Sequence, residues 1–157
     1  MTDSLGLKPN NYQNIEEIFK VTVQTTRTIL KCDRVIIYDA SDLPTTEVIA
    51  ESVDSKYTSI LGQTIRDPFL EGEYLELYCF GQAVTIDNVN ATDFSKSQLD
   101  SLRQLNVKSL AIAPISLGKE LLAFLVAHQC SKPQPWHPKA IELLREKANT
   151  TSFALSN

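Results

Sequence analysis

The stretch Val107–Trp136 sets the tightest limit on what this chain can fold into. Two apolar runs, Lys108–Leu117 and Leu121–Cys130, flank the polar break Gly118-Lys119-Glu120. The spacing predicts a strand, a tight turn and a returning antiparallel strand. Neither run alternates cleanly between apolar and polar residues. In the second, Leu122, Phe124 and Val126 are expected on one face, and Leu121, Ala123, Leu125 and Ala127 on the other, since successive strand residues point to opposite sides. A strand apolar on both faces must be covered on both, so the hairpin is expected mid-sheet with material above and below. Polarity returns at His128, which is either a satisfied core residue or a group facing a cavity.

The rest of the chain supplies the covering elements. Residues 1–10 are polar and end in Pro9-Asn10, a tail or linker ahead of a single domain over 11–157. From Asn11 to Lys31, Ile15, Ile18, Phe19, Val23, Ile29 and Leu30 form a helical stripe opposite Glu16, Glu17, Lys20 and Arg27. Thr22 and Thr26 weaken its second half. A strand follows at Arg34–Tyr38, a loop at Asp39–Thr46 and a returning strand at Glu47–Val53. Asp54–Ile60 is ambiguous, with room for a helical turn, and Leu61–Thr64 is short and extended. Asp67 precedes Pro68 and is therefore an extended bend point. Leu70, Tyr74, Leu77 and Tyr78 recur at helical spacing over Leu70–Phe80, with Gly81 as the stop. Ala83–Ile86 is a short strand and Asp87–Phe94 a loop. Ser95 caps a helix that runs through Leu105 with Leu99, Leu102 and Leu105 on one side. Pro138 opens the last helix, with Ile141, Leu144 and Ala148 inward. This order predicts an α+β domain built on an antiparallel sheet. The first and last helices cover one face together. Asp54–Phe80 and Asp87–Leu105 cover the other, where a ligand-type pocket is expected.

Charge and motif content exclude several functions. The net charge is -4, from 15 basic and 19 acidic residues. No basic block appears, so nucleic acid is not an expected partner. The apolar runs fall short of a membrane span and the N-terminus lacks a signal pattern. No direct membrane contact is expected, and the location is read as cytoplasmic, in a soluble protein or in the cytoplasmic part of a membrane-anchored receptor. Cys32, Cys79 and Cys130 have neither metal-ligand nor disulfide spacing, and each reads as a small buried hydrophobe. There is no Gly-rich phosphate loop and no nucleophile elbow. Two histidines, His128 and His137, supply no metal-site spacing. A nucleophile pair of Cys130 with His128 lacks an orienting partner. No catalytic residue, no metal and no enzyme activity are expected.

Several stretches together carry a resemblance. They are Cys32-Asp33-Arg34-Val35 with Ile36-Ile37-Tyr38, then Val48–Val53, Leu61-Gly62-Gln63 and Asp67-Pro68. Val107-Lys108-Ser109 and Ala113-Pro114-Ile115 follow, and the most specific is Ala127-His128-Gln129-Cys130-Ser131 with Pro135-Trp136. From about Asn14 onward the chain resembles a GAF domain, and more narrowly the bilin-binding GAF domains of cyanobacterial photoreceptors, the cyanobacteriochromes and phytochromes. The resemblance implies a GAF fold: a central antiparallel sheet of five or six strands, the N- and C-terminal helices on one face, and a ligand-type pocket on the other. In that family a cysteine, commonly followed by histidine, begins the helix before the hairpin and forms a thioether to the bilin. The corresponding positions here are Ser97 and Gln98, and a serine hydroxyl is a far weaker nucleophile than a thiol. The second cysteine of some relatives, in Asp-x-Cys-Phe, is missing from Asp67-Pro68-Phe69-Leu70. The family's Gly-Arg is Gly81-Gln82 here, without the charge that holds a propionate. The pyrrole-binding aspartate corresponds to Asp67 and the pocket histidine to His128.

The resemblance therefore implies a chromophore-less GAF sensory and signalling module, excised from a cyanobacterial multi-domain receptor of chemotaxis type or a histidine kinase. It is expected to act in dimerisation and signal transmission through its terminal helices, with neighbouring signalling domains as partners. No cofactor is expected, although Asp67 and His128 leave room for a non-covalent bilin. The alternative is a small-molecule sensor for a non-covalent tetrapyrrole or a cyclic nucleotide. Its candidate pocket is Asp67, Phe69, Tyr74, Tyr78 and His128. That alternative expects an enclosed cavity with polar groups facing inward, and a packed apolar interior argues against it. The methionine sulfoxide reductases with a GAF-like fold need a set of reactive cysteines, which Cys32, Cys79 and Cys130 do not resemble.

Overall fold

The computed structural model describes residues 12–156, so the tail expected over 1–10 lies outside the described residues. The elements are α1 (Tyr12–Leu30), β1 (Arg34–Asp39), β2 (Thr45–Val53), β3 (Thr64–Arg66), α2 (Glu73–Cys79), β4 (Val84–Ile86), α3 (Lys96–Gln104), β5 (Ser109–Leu117), β6 (Glu120–Gln129) and α4 (Pro138–Leu155). Six strands form one antiparallel sheet in the order β3-β2-β1-β6-β5-β4. The β5–β6 hairpin is present as expected. Leu117 pairs with Glu120, and Gly118 takes φ +63°, the left-handed conformation that two-residue hairpin turns require. β1 pairs along the other edge of β6, from Arg34 opposite His128 to Asp39 opposite Ala123. The hairpin thus sits mid-sheet, as two apolar faces demand.

Each face carries its own core. On one, Ile15, Phe19 and Val23 of α1 and Leu144 and Ala148 of α4 bury against Val35, Ile37, Ala113, Leu125 and Ala127. The two helices meet there, with the Thr22 and Thr151 hydroxyls 2.9 Å apart. On the other, Ile36, Tyr38, Ile112, Phe124 and Val126 are covered by Ile60, Ile65, Phe69, Leu70, Tyr78, Leu99 and Leu102. Each large side chain buried in either layer contributes roughly 1.5–3 kcal/mol before entropy is counted.

The structure departs from the sequence reading at several points. In β6, Ala123 pairs with Ile115 but Leu121 pairs with Ser116, so Leu122 is an extra residue. A bulge of this kind shifts the alternation by one. Leu122 therefore joins Ala123 and Leu125 on the helix-covered face, and Leu121 packs on the other with Phe124. The third strand is Thr64–Arg66 rather than Leu61–Thr64. Gly62, at φ +85°, bends the chain there and its N–H donates to Val48 O at 2.9 Å. Asp54–Ile60 holds no helix, only a turn closed by Tyr57 N–H to Asp54 O. The helix expected from Leu70 begins at Glu73, because Pro68–Leu70 forms a separate 3-10 turn and Glu71 is extended behind it. The loop over Asp87–Phe94 contains a second 3-10 turn, Val89–Ala91, which buries Val89 completely. Cys79 is exposed rather than buried, one position along α2 from the buried Tyr78.

α3 has the expected cap in full. Ser95 Oγ accepts from Gln98 N–H, and Gln98 Oε1 accepts from Ser95 N–H. This reciprocal pairing satisfies two otherwise orphaned donors. Asn106 ends the helix at φ +61°, and Val107 N–H returns to Leu102 O. That left-handed residue turns the chain straight into β5.

Candidate functional site

The face away from α1 and α4 is where the candidate residues fall. Asp67 occupies it because Pro68 holds the preceding residue extended. Its Oδ1 accepts from Phe69 N–H at 2.9 Å and caps the 3-10 turn. Its Oδ2 accepts from the Tyr38 hydroxyl, on the central strand β1, at 3.3 Å. Both residues are fully buried. No cation faces the carboxylate among its partners, and burial pushes Asp67 up to about 6 against the two hydrogen bonds. Burial, and then the neighbouring Asp67, holds the Tyr38 phenol well above its ordinary range.

Aromatic side chains fill the space beside Asp67. Phe69 meets Tyr74 and Phe94 edge-on at 5.4 and 5.1 Å between ring centres. Tyr78 meets Phe124 in the same way at 5.1 Å. The Tyr78 hydroxyl donates to Phe69 O at 2.8 Å, which ties α2 to the 3-10 turn. Phe69, Tyr78 and Phe124 are fully buried, whereas Tyr74 is half-buried. Of the five candidate pocket residues, Asp67, Phe69, Tyr74 and Tyr78 thus come together.

His128 stands apart from that group. It lies opposite Arg34, while Phe124 lies opposite Tyr38, so His128 is four residues further along the strands. That is about 13 Å at the usual rise per residue. Around it is a polar cluster that the sequence reading missed. Arg34, 2% exposed, places Nη1 at 3.3 Å from His128 Nδ1, at 3.3 Å from Leu105 O and at 3.7 Å from Cys130 Sγ. Its Nη2 donates to Thr58 O at 3.2 Å. Its Nε stands 3.4 Å from Glu51 Oε2, an ion pair without good hydrogen-bond alignment. Glu51 also accepts from the Ser59 hydroxyl and from Ile60 N–H. The only sequence signal was an arginine heading the apolar strand Arg34–Asp39 and a glutamate inside the neighbouring one. Ile36 pairs with Glu51, which puts Glu51 on Arg34's face as a diagonal neighbour. Burial, and then the Arg34 charge, pushes His128 down to about 3.

Ser97 and Gln98 are exposed at the start of α3, where Gln98 shares a surface groove with Tyr74 and Phe94. Ser97 and Gln98 together line another groove of about 340 Å³ with Arg66, Pro68, Glu71 and Ser101. Arg66 and Glu71 close one side of it with a two-point ion pair. Among the described residues, no group of three or more His, Cys, Asp and Glu side chains is arranged to hold a metal. Among them, too, no helix is long and apolar enough to cross a membrane.

Residues 14–155 match the family described as GAF domain. A protein of Synechocystis sp. named as a methyl-accepting chemotaxis protein is 34% identical over 151 residues, covering 96% of this chain and 15% of that protein. An uncharacterized protein of Picosynechococcus sp. is 31% identical over 134 residues, covering 85% of this chain and 82% of that protein. The circadian input-output histidine kinase CikA of Thermosynechococcus vestitus is 25% identical, covering 90% of this chain and 20% of the kinase. This chain therefore spans only a small part of both named signalling relatives. Among solved structures, the blue-light absorbing form of the Thermosynechococcus elongatus PixJ GAF-domain has a TM-score of 0.87 at 29% identity, over 95% of this chain and 89% of that one. A far-red absorbing dark state with bound biliverdin shares the fold, with a TM-score of 0.78 at 23% identity over 98% and 97% of the two chains.

Proposed function

Because the chain belongs to the GAF domain family, we propose that it is a pigment-free sensory module that passes signals between neighbouring domains of a larger receptor or histidine kinase. One observation carries the reading: the face that would take a ligand is filled from within. Phe69, Leu70, Tyr78, Leu102, Leu110 and Phe124 are fully buried there, and the aromatic rings contact one another edge-on. Ser97 and Gln98 offer no thiol, and the Gln98 side chain is engaged in capping α3. The buried thiols are unsuited to attack, since burial pushes Cys32 up to about 12 and Cys130 up to about 11. The module is not catalytic in this reading, and it works in the cytoplasm.

Transmission would run through α1 and α4, whose inner stripes cover the sheet. Val21 and Phe153 remain 53% and 71% exposed on these helices. Pairing with a second copy is part of this reading, and these are the apolar side chains it would cover. A second reading, a sensor for a non-covalent tetrapyrrole, is favoured by the unpartnered, fully buried His128 Nε2.

The test is an absorption spectrum of the protein purified from cells that make a bilin, repeated after acid denaturation. The expected result is no visible band. A band lost on denaturation and desalting would favour the second reading. A band that stays with the denatured chain would overturn both.

A further inference from the structure

A guanidinium carries donors only, and its nitrogens accept no hydrogen bond. Arg34 Nη1 stands 3.3 Å from His128 Nδ1. That ring nitrogen must therefore present a lone pair, and the proton of the neutral imidazole must sit on Nε2. His128 Nε2 is buried and has no partner. We infer that Arg34 is a positioning residue that fixes the tautomer of His128, holding the ring neutral with its one proton on Nε2 and leaving that nitrogen a hydrogen-bond donor only.

The surroundings hold Arg34 in this role. Glu51 anchors its Nε side from β2, Thr58 O accepts from Nη2, and Leu105 O at the end of α3 shares Nη1. The charged and titratable groups of this cluster are Arg34, Glu51 and Cys130, with Asp33 and Lys108 acting on the Cys130 thiol from outside it. Among them only the Arg34 guanidinium faces a ring nitrogen directly. A second cation on the imidazole would oppose a buried arginine about 3 Å away, an arrangement that a low-dielectric interior penalises heavily. A buried donor without an acceptor is itself costly. Such a group marks a position where an acceptor is missing from the protein's own side chains.

The experiment is nitrogen-15 NMR of the His128 ring in the full chain, followed between about pH 8 and pH 5, the range in which a free histidine titrates. The expected spectrum has a pyrrole-type Nε2 and a pyridine-type Nδ1, unchanged across the range. The comparison is the double variant R34M/E51L, which replaces both charges with apolar side chains and avoids leaving one of them stranded. There, Nδ1 protonation is expected to appear, with a shift of the titration toward neutral pH. E51Q keeps Arg34 in place and should retain the Nε2–H form, which separates the arginine's effect from loss of the ion pair. A proton on Nδ1 in the unaltered protein would overturn the inference. So would an unchanged tautomer and titration in R34M/E51L. A null absorption spectrum with bilin leaves this measurement untouched, so the two conclusions fail independently.

Discussion

Arg34 Nε and Glu51 Oε2 stand 3.4 Å apart, and their side chains are only 2% and 4% exposed. The pair joins β1 to β2 inside the sheet. Through Thr58, Ser59 and Ile60 it also pins the loop that leaves β2, and through Leu105 the end of α3. Removing one member of a buried ion pair leaves the other charged and unsolvated, which costs about 3–5 kcal/mol. Glu51→Ala is therefore expected to lower the unfolding free energy by that amount in urea titrations. The double variant R34M/E51L should lie closer to the unaltered protein than either single removal does. Additive losses in the double would disprove the coupling.

Two buried groups should give stability opposing dependences on pH. The folded-state Asp67 carboxyl is pushed up to about 6 from 3.8. Its contribution is complete below about pH 3.8 and is lost as pH rises through about 6, because the folded state must ionise an unpaired carboxylate. His128 is pushed down to about 3 from 6.5. Its contribution is complete above about pH 6.5 and is lost as pH falls toward about 3. Asp67→Asn keeps an acceptor for Phe69 N–H and removes the first effect. The variant should gain roughly 1–3 kcal/mol over the unaltered protein at pH 8 and little at pH 4. Up to about pH 6.5 its stability should then rise with pH, as the histidine contribution dictates. Urea midpoints at four pH values would decide the matter, and a variant weaker than the parent at pH 8 would contradict it.

Phe69 sits between Tyr74 and Phe94 and closes the interior beside Asp67. Phe69→Ala is expected to cost about 3–5 kcal/mol, the usual range for a large aromatic removed from a packed core. A loss under about 1 kcal/mol would mean that the ring fills a loose pocket rather than a packed interior. That outcome would also weaken the pigment-free reading.

Phe153 is 71% exposed on α4 and contributes little to its own fold. Phe153→Asp should change the unfolding free energy read from urea titration by less than about 0.5 kcal/mol, as surface substitutions usually do. If the terminal helices pair with a second copy, the same change should convert a dimer to a monomer in sedimentation velocity. An unaltered protein that sediments as a monomer at high concentration would remove the pairing proposal.

The hairpin was legible from its own residues, because two apolar runs around Gly118 admit few other arrangements and pairing on both sides follows from burial. Ser95 and Gln98 declared the start of α3, since a capping box is a local pattern that needs no tertiary partner. The resemblance carried Asp67 and His128, but not how far apart the sheet places them. Tertiary structure alone decided the rest. Leu122 changes face because a bulge inserts one residue, and the alternation of a run does not reveal where it slips. Leu70 leaves the helix because Asp67, Pro68 and Tyr38 together fix a separate turn against the sheet. Arg34 and Glu51 are far apart along the chain and look like ordinary surface charges until antiparallel register makes them diagonal neighbours. What lies within a few residues of itself was readable from the chain, and what depends on register between distant strands was set only when the sheet closed.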